Sequence, residues 1–349
     1  MPIKPACTAT ATEDTTAFRA KLASWFDHHG RDLPWRRAHA AYPVLVSELM
    51  LQQTQVSTVL AGGYFTKFLQ TFPTLHALAD ADDEKLLKAW EGLGYYRRAR
   101  LLREAARAVI ERHGGEFPHE LAALLALPGV GPYTAGALRA FAFNLPAVLV
   151  DGNIARVVAR LVDLRVAVDA GAGHKAIWQA AEALACPARP RLHHSALMEL
   201  GQRICRPGVP DCHACPVSAW CATPHPEMLP VKKERARITA VDELAVFLTD
   251  AGGNLLLHRE SGKRRQGLWK LPSRPQADVA GLPVIERENY AITRYKVALA
   301  VHDARGAPAG LAAAPDEAWI PITEVQGLAM PSPYRRVLGR LLGFTEKSV

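Results

Sequence analysis

Four of the chain's six cysteines crowd into one segment: Cys205, Cys212, Cys215 and Cys221, separated by six, two and five residues. Thiolates this close hold an iron–sulfur cluster or a structural zinc, and the backbone between them must wrap that centre. Where thiols stay reduced, such crowding indicates an inorganic site rather than disulfides. The spacing alone leaves iron–sulfur and zinc both open. Cys7 and Cys186 lie outside the pattern and read as structural or incidental.

The residues ahead of this segment repeat with a helical period. After Thr16, the residues Phe18, Leu22, Trp25 and Phe26 fall on one face, with Gly30 as a stop. Similar patterns run through 43–60, 63–72, 83–90, 97–113, 119–126, 132–143, 152–163, 173–185 and 192–203. Their Gly- and Pro-bearing connections are short, as between packed helices. Residues 1–16, rich in Ala and Thr and without a period, read as a disordered tail. After Cys221 the stretch TPHPEMLPVKKERAR is a proline-bearing basic linker, placed at 223–239. Beyond it, 241–249, 254–259, 290–301 and 317–322 are alternating or apolar, DAGGN makes a hairpin of the first two, and 332–343 is helical. The expectation is a multi-domain chain. An all-α domain at 17–222 includes the cysteine segment at 205–221, and a smaller α+β domain occupies 240–349.

Net charge is +8, with most of the excess before residue 240, which favours a polyanionic partner for the helical part. The best candidate for a membrane span, around 135–150, is interrupted by Arg139, Asn144 and Pro146, so none is expected. The N-terminal MPIKPACTATATEDTT lacks an apolar signal core, which points to a cytoplasmic protein.

LPGVGPYTAGAL, residues 127–138, sets Gly129 and Gly131 between one helix and the next. Glycine permits positive φ and close backbone approach. The second helix offers free N–H groups and its positive dipole end to an anion. With Leu127 and Val130, these glycines form a hairpin suited to cradling a DNA phosphate regardless of sequence. An ordinary tight helix–helix turn has the same spacing.

Two carboxylates stand out. Glu48 lies among Val46, Leu49 and Leu51 in YPVLVSELMLQQTQV. Burial would raise its pKa toward that of a general acid, whereas an exposed helix would leave it a solvated surface group. Asp151 in VLVDGNIARVV sits where an N-cap is expected, and a helix N-terminus helps keep a carboxylate ionised. A raised Glu beside an ionised Asp is the pair used to cleave glycosidic bonds.

Taken in order, SELMLQQTQV, WEGLGYYRRAR, LPGVGPYTAGAL, VDGNIARV and the four-cysteine spacing resemble the MutY-type adenine DNA glycosylases. These belong to the helix-hairpin-helix, endonuclease III-like superfamily. The resemblance is close over about 17–235 and looser beyond. It implies excision of adenine mispaired with 8-oxoguanine or guanine in double-stranded DNA, by a monomer without membrane attachment, at the bacterial nucleoid. It implies one [4Fe–4S] cluster on the four cysteines, structural or DNA-positioning rather than catalytic. Glu48 matches the acid that protonates adenine N7. Asp151 matches the carboxylate that stabilises the oxocarbenium-like sugar or attacks it transiently, and Tyr133 and Asn153 match the residues that position this pair. Trp35, Arg36 and Glu199 match the adenine pocket. Leu51, Gln53 and Tyr95 match the residues that probe and wedge the duplex. Core packing is the competing reading for Trp35, and for one member of the Tyr95–Tyr96 pair.

The C-terminal part resembles a Nudix-like lesion-recognition domain through GLWKLPS, residues 267–273. The Glu-rich magnesium box is absent, so no pyrophosphatase activity is expected. Where the family reads the lesion with Phe-Ser-His, this chain has Ile292-Thr293-Arg294. Thr293 keeps a hydroxyl for the lesion's altered edge, and Arg294 suits a phosphate; an ordinary strand threonine is the alternative. Superfamily members that cut the backbone carry a lysine at the position of Tyr133. Tyrosine forms no Schiff base, so a monofunctional glycosylase is expected. Two rivals stand: a glycosylase for oxidised pyrimidines or mismatched thymine, and a non-catalytic DNA-binding or redox-signalling protein. The retained Glu48 and Asp151 count against the second.

Overall fold

The computed structural model describes residues 11–234, 237–262, 264–305 and 314–344. The chain forms two compact units, each assembled from two stretches of sequence. One comprises 1–48 and 111–234; the other comprises 49–110 and 235–349. The division expected at 223–239 therefore captures only one crossing. Residues 49–110 side with the sheet-bearing part because polar groups of that stretch bond to it. The Tyr96 hydroxyl donates to the Met330 carbonyl at 3.0 Å, Lys88 Nζ to the Gln326 carbonyl at 2.7 Å, and Arg335 Nε to Glu91 at 2.8 Å.

The first unit is helical. Its core gathers Phe18 and Leu22 of helix Ala11–His29 with Ile154, Val157 and Val158 of helix Gly152–Leu161 and Leu197 and Leu200 of helix Pro190–Arg203. These positions repeat every three or four residues, so each helix offers one apolar stripe to the others. Helix Ala11–His29 begins earlier than expected: residues 11–16 are helical rather than tail, and the Asp14 carboxylate accepts a bond from the Trp220 indole. Residues 1–10 lie outside the described residues. Helix Leu121–Leu125, a turn and helix Pro132–Ala137 form the hairpin foreseen at 127–138.

The second unit joins helices to an α+β part, the class expected of a Nudix-like domain. The pattern at 43–60 is broken here: helix Ala41–Leu51 stops, Gln53 takes φ 58°, and helix Val56–Ala61 restarts. Among the described residues, two three-stranded sheets follow. One has the order β1 (Thr239–Phe247), β5 (Tyr295–Asp303), β4 (Val284–Ile292); the other has β3 (Trp269–Lys270), β2 (Asn254–Arg259), β6 (Glu317–Pro321). The DAGGN turn is tight, with Asp250 N–H bonded to the Asn254 carbonyl at 3.0 Å. The Thr249–Leu255 bridge and the Leu256 N–H to Leu248 carbonyl bond at 2.9 Å make the expected hairpin at this turn, while the body of β1 runs parallel to β5. The stretch 290–301 is not one strand. It is the end of β4 and the start of β5, with Thr293 and Arg294 as the turn between Ile292 and Tyr295. Helix Ser332–Leu342 covers this core through Tyr334, Val337 and Leu338.

Gly136 shows how close the packing of the first unit is. A Cβ there would stand 2.3 Å from the Val148 carbonyl oxygen. Gly136→Ala is expected to cost about 1–3 kcal/mol by overpacking. A lower urea midpoint would show it; an unchanged midpoint would mean that the 146–150 segment yields freely.

Candidate active site

Helix Ala41–Leu51 opens without a charge for its first turns and carries Glu48 into the interior, where it is 6% exposed. This excludes the solvated-surface reading. The Tyr133 hydroxyl donates to Glu48 Oε2 at 2.6 Å. Burial pushes the Glu48 pKa up to about 7; the Tyr133 bond opposes this and the charge of Asp151 adds to it. The Tyr133 phenol is itself driven well above its usual range by burial and by both carboxylates, so it stays a donor.

Asp151 caps helix Gly152–Leu161. It accepts from the backbone N–H of Asn153 at 3.0 Å and of Ile154 at 2.7 Å, and from the Asn153 side-chain amide at 2.8 Å. The helix end helps to keep it ionised, as both backbone N–H groups favour the carboxylate, but burial acts the other way. Burial outweighs those bonds and moves its carboxyl above the usual range. Asp151 still has three donors and the Arg156 charge on its side, against the single donor on Glu48. The proton therefore resides first on Glu48.

Arg156 is a residue that sequence reading missed. It donates to Asn153 Oδ1 at 2.9 Å, to the Gly201 carbonyl at 2.6 Å and to the Cys205 carbonyl at 2.7 Å. A continuous bonded path thus runs from the cysteine segment to Asp151. Gly201 is required there, because a Cβ would stand 2.8 Å from the Asn153 Cβ. The signal was available: Arg156 follows Asn153 by three residues on the same helix face.

Arg36 and Glu199 meet. Glu199 is fully buried, and its oxygens take Arg36 Nη2 at 2.7 Å and Arg31 Nε at 2.6 Å. Burial alone would raise its pKa, but the two guanidinium groups hold it below the usual carboxylate range. Arg31 is a second missed residue. Trp35 is half-buried beside them in helix Pro34–Arg37.

In the hairpin, Leu127 and Val130 are buried, Gly129 takes φ 72° and Gly131 is exposed at the start of helix Pro132–Ala137. The two apolar side chains anchor the turn and leave its backbone outward. The cysteines follow helix Pro190–Arg203, with Cys205, Cys215 and Cys221 resting on the core and Cys212 exposed. Burial raises the Cys215 pKa to about 11, with Cys205, Cys221 and Cys212 adding to the rise. Burial raises the Cys221 thiol as well. Among the described residues, no three Cys, His, Asp or Glu side chains converge as the donors of a single ion do.

The remaining residues belong to the second unit. Tyr96 is buried, whereas Tyr95 is 46% exposed with φ 46°. Gln53 is exposed and Leu51 half-buried. Thr293 has φ 53° at the tip of the β4–β5 turn, not in a strand. Beside it the guanidinium groups of Arg264 and Arg294 lie 5.5 and 5.3 Å from the Tyr295 ring centre, a grouping that sequence reading did not foresee.

Residues 46–167 match the family described as HhH-GPD superfamily base excision DNA repair protein. The adenine DNA glycosylase of Rattus norvegicus is 43% identical over 229 residues, covering 63% of this chain and 44% of the rat protein. The adenine DNA glycosylase of Mycolicibacterium smegmatis is 41% identical over 199 residues, covering 57% of this chain and 67% of that protein. This chain thus accounts for less than half of the rat relative's length. Among solved structures, a thermostable thymine-DNA glycosylase is 30% identical with a TM-score of 0.54, covering 60% of this chain and 96% of that one. No helix among the described residues is long and apolar enough to cross a membrane.

The Glu48 shift has a consequence for stability. Its folded pKa, about 7, lies above its ordinary value of 4.5. The buried carboxyl therefore contributes fully below pH 4.5, and that contribution is lost as pH rises to 7. Glu48→Gln, neutral throughout, is expected to gain about 3 kcal/mol relative to wild type as pH rises past these limits and hold the gain above them. Thermal melts at pH 5 and pH 8.5 read this; equal differences at both would contradict it.

Proposed function

Because the chain belongs to the adenine DNA glycosylase family of helix-hairpin-helix base excision repair proteins, we propose that it removes adenine mispaired with 8-oxoguanine or guanine in double-stranded DNA by hydrolysing the N-glycosidic bond. The observation that carries this reading is the unequal carboxylate pair: Glu48 buried with one donor, Asp151 with three. Adenine is a poor leaving group as an anion. Protonated Glu48 donates to N7, the C1′–N9 bond breaks, and adenine leaves neutral. The electron deficiency left on the sugar is met by ionised Asp151 until water adds at C1′ and passes its proton to the Glu48 carboxylate, which restores the acid.

The target must first leave the stack, at a cost of a few kcal/mol. Tyr95 and Leu51 fill the gap, since an aromatic or apolar wedge offsets lost stacking. Trp35 and Arg36 line the receiving pocket, with Glu199 and Arg31 holding Arg36 in place. The 127–131 hairpin grips a phosphate through its backbone. Thr293 reads the oxidised base, and Arg294 a neighbouring phosphate. Cys205, Cys212, Cys215 and Cys221 hold a [4Fe–4S] cluster. Their thiolates would be its protein ligands. When bound, the cluster supplies rigidity to the segment that follows helix Pro190–Arg203 and no step of base cleavage. The protein acts as a monomer on chromosomal DNA.

A second reading, excision of mismatched thymine, is favoured by the similarity to the thymine-DNA glycosylase. Single-turnover excision separates the two on duplexes with adenine opposite 8-oxoguanine, guanine or thymine, with thymine opposite guanine, and with thymine glycol. The expected result is excision of adenine from the first two, faster opposite 8-oxoguanine, with the rate falling as pH rises through about 7. Glu48→Gln and Asp151→Asn should each lose at least about a hundredfold. Excision of thymine or thymine glycol alone would overturn the assignment. Borohydride should trap little wild-type protein on substrate DNA, because Tyr133 offers no amine; strong trapping would contradict the monofunctional mechanism.

A further inference from the structure

Arg98 is 7% exposed, and no carboxylate among the described residues pairs with it. Its acceptors come instead from two separate places, the end of helix Ala41–Leu51 with the turn after it and the 92–95 loop. Nη1 donates to the carbonyls of Leu49 at 2.8 Å, Met50 at 2.9 Å and Gln52. Nη2 donates to the carbonyls of Leu93 at 2.9 Å and Gly94 at 3.1 Å, and to the Thr54 hydroxyl at 3.2 Å. The guanidinium also lies 5.5 Å from the ring centres of Trp90 and of Tyr95. Burial draws its pKa down to about 10, which leaves it cationic at neutral pH.

Each loop carries a non-glycine residue held left-handed with its side chain outward, Gln53 at φ 58° and Tyr95 at φ 46°. Such conformations cost of order 1–3 kcal/mol and persist only where the surroundings impose them. Arg98 is the group common to both surroundings. We infer that Arg98 is a positioning residue that locks the 51–55 turn and the 92–95 loop into one rigid probe, so that Gln53 and Tyr95 enter the duplex together at a fixed separation. This rests on the adenine-excision reading above. A lysine in its place would present three donors from one point and could not serve acceptors on both loops.

The test is single-turnover excision by full-length wild type, Arg98→Lys, Tyr95→Ala and the double variant. Two duplexes, both with adenine opposite 8-oxoguanine, differ only in whether the flanking pairs are matched or mismatched. Mismatched flanks remove most of the unstacking work that the probe performs. Arg98→Lys should lose about tenfold or more on the matched duplex, the rate equivalent of one released strained residue. It should lose far less on the mismatched one. The double variant should be no slower than the slower single variant, because both act through the same wedge. A 2-aminopurine beside the adenine should brighten less with Arg98→Lys than with wild type. Should Arg98→Lys not fold, Thr54→Val removes one acceptor and should show a smaller loss with the same substrate dependence. Equal losses on the two duplexes, no loss on either, or additive losses in the double variant would each overturn the inference. Absence of adenine excision by wild type on every duplex would instead overturn the parent reading.

Discussion

Helix Gly152–Leu161 buries two guanidinium groups, and much of the first unit is arranged to satisfy them. Arg156 bonds to carbonyls of Gly201 and Cys205, and Arg160 to those of Leu229, Arg206 and Gly208. A buried cation without acceptors would cost several kcal/mol, so the chain that supplies these carbonyls must lie where the helix dictates. Three of the five carbonyls, those of Cys205, Arg206 and Gly208, belong to the segment carrying the cysteines. The same helix begins at Asp151, which makes the position of the cysteine segment and the orientation of the carboxylate consequences of one packed element.

Electrostatic asymmetry follows from this scaffold rather than from residue type. Glu48 and Asp151 are both carboxylates, and burial raises the pKa of both. What separates them is the supply of donors. A helix N-terminus presents two N–H groups and an amide to Asp151, while the middle of a helix leaves Glu48 only the Tyr133 phenol. Backbone geometry thereby decides which of the two carboxyls keeps its proton longer.

Strain is distributed with similar selectivity. Among the described residues, the non-glycine positions with positive φ are Gln53, Tyr95, Asn144, Asp163 and Thr293. Three of these carry side chains that family resemblance assigns to the duplex or the lesion. A left-handed residue turns its side chain away from the direction an extended or helical neighbour would give it. Strain and exposure therefore coincide where a loop must project a group into a partner. Thr293 is the sharpest case, since a β-branched residue is disfavoured there and the first central position of such a turn ordinarily takes glycine.

The helical domain was legible in sequence because its helices are long enough for a period to show and its glycines mark real turns, Gly129 among them. Glu48, Asp151 and Tyr133 were singled out through motif order, which fixes residue identity but not environment. Sequence missed the break after Leu51 because leucine and glutamine carry no stop signal; the break is held by Arg98, more than forty residues later in the chain. It merged β4 with β5 because a Thr-Arg turn lacks the glycine or asparagine that marks hairpins. It divided the chain once, near 223–239, although residues 49–110 join the sheet-bearing unit through hydrogen bonds that leave no local pattern. By itself, then, the sequence determined which elements form and which chemical groups are available, because propensity, periodicity and motif spacing act over a few neighbouring residues. Tertiary structure alone decided which carboxylate keeps its proton, which buried arginines hold the loops and which residues are strained outward, because desolvation and hydrogen-bond supply depend on atoms brought together from distant parts of the chain.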